Sequence, residues 1–141
     1  MSAGSINAAL LLAYDIGDEM NATEYLSEQW GLLSNDQVWK DWAIGKISSL
    51  FVYHSVIDNT PLLNFLTDQL NQFDSIKRRF TLSAIDVENG EYVHFDQTNI
   101  DVTEVPKAAV ASASIPLVFP PFNWEGRGIY MDGMAAYNVD L

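Results

Sequence analysis

Ser2, Ala3 and Gly4 stand just ahead of the apolar run Ile6 to Tyr14, and they are the first residues of this chain that could do covalent chemistry. A nucleophilic serine on a sharp turn needs small neighbours, because the turn is strained and the helix after it packs closely. Ala3 and Gly4 meet that requirement. The N–H of Ala3 would lie at a helix N-terminus, where partial positive charge stabilises an oxyanion. The same residues also suit an ordinary helix start with Ser2 as its N-cap.

A serine nucleophile needs a base. The two histidines, His54 and His94, are the first to consider. In an α/β-hydrolase the histidine follows both the serine and the acid, and no histidine follows Asp132 here. His94, in Tyr-Val-His-Phe-Asp, reads as a residue of a strand, and His54 is equally plain. Their separation along the chain has no metal-ligand spacing. Among the carboxylates Asp132 stands out. It ends a β-prone run, Gly128 to Met131, and Gly133 lets the backbone turn and leaves the carboxylate projecting. An aspartate within reach of a serine can act as general base. An Asp-Gly turn with no chemistry fits the same residues. The chain has no cysteine, which excludes thiolate catalysis, disulfides and cysteine-bound zinc.

The elements that must position these groups fit one domain, residues 1–141, long enough to bury a core. Hydrophobic residues make up 48% and charged residues 18%, a globular rather than a disordered balance. A net charge of −12, from 19 acidic and 7 basic side chains, repels phosphate backbones and argues against nucleic acid as a partner. The same charge opposes anionic membrane surfaces unless a local apolar or basic patch prevails. No apolar run reaches the roughly 18 residues needed to span a bilayer.

Periodicity predicts helices over Ile6 to Tyr14, Asn21 to Trp30 (with Asn21 or Thr23 as cap) and Asn35 to Trp42, the last ending near Gly45. Ile47 to Val56 reads as helix or strand. Thr60 and Pro61 open a further helix whose Leu62, Leu63, Leu66, Leu70 and Phe73 form one apolar stripe. Phe80 to Val87 and Tyr92 to Phe95 read as strands joined at Glu88-Asn89-Gly90, with Asn-Gly supplying a tight hairpin turn. Val-Pro-Lys-Ala-Ala-Val-Ala-Ser-Ala-Ser reads as a short helix of small residues, followed by a Pro-bounded apolar loop, Ser114 to Phe122. Trp39 and Trp42 suit helical core packing or a membrane-facing patch. This order of elements predicts an α/β fold.

Five segments, in order, resemble the patatin-like phospholipase family: SAGSINAALLLA, TPLLNFLTDQL, FTLSAIDVENGEYVHFD, AAVASASIPLVFPPF and IYMDGMAAYNVDL. The first is similar to the second half of the family's Gly-x-Ser-x-Gly elbow with its helix, and the last to its Asp-Gly-Gly segment, with Met134 at the second glycine. The resemblance implies a three-layer α/β/α fold with a mostly parallel central sheet, expected to be incomplete in this chain at both ends. It implies a Ser-Asp dyad with Ser2 as nucleophile and Asp132 as base. Ala3, Gly4 and Gly133 would support the elbow and the oxyanion, and neither metal nor cofactor would be needed. The implied activity is lipid acyl hydrolysis through an acyl-enzyme, with an acyl lipid as substrate. The implied setting is cytoplasmic or at the periphery of a membrane or lipid droplet. The alternative is an inactive relative that serves as a lipid-binding or interaction module.

Overall fold

A helix of small residues organises the molecule. In the computed structural model, which describes residues 1–41 and 55–135, helix α5 (Val105–Ala113) buries every side chain except Lys107. Alanine and serine allow neighbouring backbones to approach closely, so α5 packs simultaneously on helix α1 (Ala3–Leu11), on helix α4 (Thr60–Leu70) and on the sheet. Helix α2 (Glu19–Leu32) packs against α1, and the single turn α3 (Asn35–Val38) packs against α4.

The stripe on α4 is buried as its spacing predicts at Leu62, Leu66 and Leu70, with Phe65 added and Leu63 and Phe73 half-buried at its margin. Each fully buried side chain of this size contributes about 1.5–3 kcal/mol of transfer free energy. The N-cap is Asn59, not Thr60. Asp58 Oδ1 accepts both the Thr60 N–H at 2.9 Å and its hydroxyl at 2.7 Å, which draws Thr60 into the first turn. Helix α2 likewise begins earlier than Asn21, after Asp18, whose carboxylate accepts a 2.6 Å bond from the Asn21 amide. Helix α3 is shorter than Asn35 to Trp42. Trp39 is already extended, and Lys40–Asp41 form strand β1 against β2 (Ile57–Asp58). Trp42, Gly45 and His54 lie outside the described residues, as does most of the ambiguous run from Ile47 to Val56.

The larger sheet has the order β4-β3-β6-β5, from β3 (Thr81–Asp86), β4 (Tyr92–Asp96), β5 (Phe122–Trp124) and β6 (Gly128–Asp132). Every ladder among the described residues is antiparallel, and parallel pairing occurs in the isolated bridge Ser55–Leu117. The fold is therefore mixed α/β with antiparallel sheets, and the expected mostly parallel central sheet is not what these residues form. The reason lies in the connections. Short turns join β3 to β4 and β5 to β6, and a short turn can join only antiparallel neighbours. In the first turn Gly90 alone takes a left-handed φ, 70°, while Asp86 Oδ1 accepts the Glu88 N–H at 2.8 Å. Strand β5 begins at Phe122, the last residue of the stretch read as loop, where Phe122 pairs with Tyr130.

Candidate active site

Ser2 is the N-cap of α1 and has φ 54° and ψ −137°. A side-chain-bearing residue in this left-handed region costs roughly 1–3 kcal/mol and persists only where its surroundings over-determine it. Three hydrogen-bond contacts do so here. The Ser2 N–H is shared between the Ser112 carbonyl at 3.2 Å and the Ser112 hydroxyl at 3.1 Å, and the Ser5 N–H donates to the Ser2 carbonyl at 2.8 Å.

Ser112 is itself fixed. Its one hydroxyl proton goes to the Ser83 carbonyl at 2.7 Å, so in the 2.7 Å contact between the Ser5 and Ser112 hydroxyls Ser5 must be the donor. Ser112 Oγ thus donates once and accepts twice, and it is fully buried. One layer away, the Tyr92 hydroxyl donates to Ser83 Oγ at 2.8 Å.

Asp132 ends β6 opposite Ala84 and is fully buried. Its N–H donates to the Ser114 carbonyl at 2.9 Å, and its Oδ1 accepts the Met134 N–H at 2.9 Å. Oδ2 is buried with no hydrogen-bond partner, so Ser2 Oγ does not bond to it. Ser114 Oγ donates to the Val110 carbonyl at 2.8 Å and accepts from the Asn59 amide at 2.9 Å. The C-terminal end of α5 therefore holds both halves of the site, Ser2 through Ser112 and Asp132 through Ser114.

The two glycines differ. Gly4 is exposed, and a Cβ there meets nothing within 4 Å, so no described neighbour demands the room it leaves. At Gly133 a Cβ would stand 2.6 Å from Met1 Sδ and 3.3 Å from the Ser83 carbonyl. Bare backbone there lets Met1 lie over the turn that carries Asp132. Ala3 is exposed, and its N–H, like that of Gly4, belongs to the first helical turn, which has no intrahelical acceptors. His94 sits on β4 opposite Ser83, with its side chain exposed. Among the described residues no cluster of His, Asp and Glu could hold a metal ion, and no helix is long and apolar enough to cross a membrane.

A family model described as patatin-like phospholipase matches residues 1–141. The chain belongs to the patatin-like phospholipase family. Comparisons with curated proteins and with solved structures each found no match. The patatin-like phospholipases are a family of lipid acyl hydrolases, which sets the chemistry against which this site is read.

For a patatin-like chain, the residues that sequence reasoning missed are the supports: Ser5, Asn59, Ser83, Ser112 and Ser114. The available signal was the alternation Ala111-Ser112-Ala113-Ser114, two hydroxyls closing a helix that is otherwise apolar where it is buried. Asp58, beside Asn59, is a structural carboxylate. Burial alone would raise its pKa, but bonds from the Thr60 hydroxyl and N–H, with the Lys40 ammonium at 3.1 Å, outweigh that and hold it below the usual carboxylate range.

Proposed function

We propose that this patatin-like chain is a lipid acyl hydrolase that works through Ser2 and Asp132. The observation that carries the reading is the left-handed backbone of Ser2 at the head of α1, the strained turn a nucleophile elbow requires. The unpartnered, buried Oδ2 of Asp132 supports it. Leaving such a group unsatisfied costs about 1–3 kcal/mol, more for a charged one, and the cost is explained where the oxygen is kept for a proton in transit.

In this mechanism Ser2 Oγ attacks the ester carbonyl of an acyl lipid while its proton passes to Asp132. The tetrahedral oxyanion forms beside the first-turn N–H groups of Ala3 and Gly4, and Gly133 keeps the Asp132 turn compact. Collapse expels the alcohol, which takes the proton from Asp132, and leaves the acyl group on Ser2. Asp132 then removes a proton from water as it attacks the acyl-enzyme, and on collapse returns that proton to Ser2 Oγ as the fatty acid leaves. The Ser2–Asp132 hydrogen bond forms on substrate binding, as catalytic bonds that are long in empty sites commonly do.

A second reading, a lipid-binding module without catalysis, is favoured by one observation. Met134, in place of a small residue after Asp132-Gly133, is 51% exposed, and Leu117 and Val118 are exposed at 68% and 40% in the loop that follows α5. These side chains give a lipid surface something to contact whether or not Ser2 reacts. A fluorophosphonate probe separates the readings. The hydrolase labels at Ser2 and Ser2→Ala abolishes the labelling, whereas the module binds vesicles of neutral lipid and never labels.

A further inference from the structure

We propose that Ser112 is a positioning residue for Ser2, with its hydroxyl and its carbonyl jointly capturing the Ser2 N–H and holding the strained turn. The proposal rests on the reading of Ser2 as the nucleophile. The energetics require more than one restraint. A serine held at positive φ is strained, and the net contribution of one hydrogen bond is typically smaller than such strain. Neither the 3.1 Å bond to Ser112 Oγ nor the 3.2 Å bond to the Ser112 carbonyl suffices alone. Together they form one three-centre bond on the Ser2 N–H, and the Ser5 N–H on the Ser2 carbonyl adds a second restraint.

The neighbouring serine on the same helix shows that Ser112 does something beyond ending α5. Ser114 returns its proton to its own helix, at the Val110 carbonyl four residues back, the ordinary local bond of a helical serine. Ser112 instead sends its proton across to the Ser83 carbonyl of β3, which turns its lone pairs toward α1. There they meet the Ser2 N–H and the Ser5 hydroxyl. Ser112 is fully buried, so water cannot replace it as acceptor. The arrangement fixes the head of α1 to the sheet through a single oxygen.

The test uses the full chain, a fluorophosphonate probe, and separate measurement of the labelling rate at saturation and of the probe concentration at half-saturation. Ser112→Ala is expected to slow saturated labelling about 10- to 100-fold while half-saturation moves less than about twofold, the pattern of a lost orientation rather than lost binding. Val105→Ala, at the other end of α5, serves as the control. It lowers the melting temperature at least as much and labels at the unsubstituted rate per folded molecule. Ser112→Cys keeps the side-chain size but offers a weak acceptor. It is expected to slow labelling likewise, and it carries the test should Ser112→Ala not fold. Labelling of both Ser112 variants at the unsubstituted rate overturns the proposal. Equal slowing in Val105→Ala overturns it too, by reducing the effect to general destabilisation. Ser2-dependent labelling in the unsubstituted chain keeps the nucleophile reading intact in either case, and its absence removes both.

Discussion

At its N-terminal end α5 buries Val105 in the apolar cluster that also holds Leu12 and Leu70, with Phe73 packed against it. At its C-terminal end it turns Ser112 toward α1 and β3, and Ser114 toward Asn59. Both ends are buried, yet one is closed by apolar contact and the other by hydroxyls with assigned partners. Apolar contact is non-directional and scales with area, so it stabilises strongly and tolerates small shifts. Hydrogen bonds add little net free energy but fix angles. The helix thus draws stability from one end and geometry from the other, and the geometric end is the one to which the Ser2 and Asp132 backbones are both hydrogen-bonded.

Substitutions that act on only one end would break or sharpen this contrast. The largest effect belongs to Ser2→Ala and Asp132→Asn. Each is expected to lower ester hydrolysis at least ~10³-fold, with little change in melting temperature, as measured with a chromogenic acyl ester. Next is Leu70→Ala at the apolar end, expected to cost about 2–5 kcal/mol in denaturant unfolding without changing activity per folded molecule. A fall in specific activity that outruns the unfolded fraction would show the two ends to be coupled. Gly133→Ala comes third, at about 1–2 kcal/mol, because Met1 Sδ can swing aside but the Ser83 carbonyl, 3.3 Å from the added Cβ, is backbone and must give. Unlike Leu70→Ala, it should also depress activity per folded molecule, because it moves the turn that carries Asp132.

The smallest effect is expected at Asp58, which bonds neither Ser2 nor Asp132 and borders the C-terminal end of α5 only through its neighbour Asn59. Its folded pKa is depressed, so its contribution to stability is present above the unfolded carboxylate value and disappears as pH falls through the folded one. Asp58→Asn should cost about 1 kcal/mol at neutral pH. The difference from the unsubstituted chain should shrink below about pH 4, read from melting curves across an acid series.

What the sequence reveals follows the same division. The α4 stripe is legible because Leu62, Leu66 and Leu70 recur at helical spacing, and area burial needs no more information than that. Ser2 and Asp132 stand out because their side chains can react and their neighbours are small. Ser112 and Ser114 do not stand out, since a serine among alanines looks like a packing residue until its hydrogen-bond partners are known. Those partners, Ser2, Ser83 and Asn59, come from distant parts of the chain. The β3–β4 hairpin was legible from its Asn-Gly turn, but the antiparallel pairing of β6 with β3 was not, for a related reason. The direction in which β6 meets β3 depends on how the chain returns from α5, not on any local pattern.

The bond between Ser2 and Ser112 joins residues 110 apart in sequence, and that between Ser5 and Ser112 joins residues 107 apart. The β3–β4 hairpin, by contrast, pairs Thr81 with Asp96. Closing a longer loop costs only about 0.6 kcal/mol more per doubling of its length, a small thermodynamic difference, but long-range contacts are slow to find. The hairpin and α4 can therefore form early from local sequence, whereas the head of α1 has nowhere to dock until α5 lies on the sheet. On the proposed role of Ser2, its reactivity becomes a late event in folding and an early loss in unfolding, so labelling at Ser2 would report the completeness of the fold ahead of any measure of secondary structure.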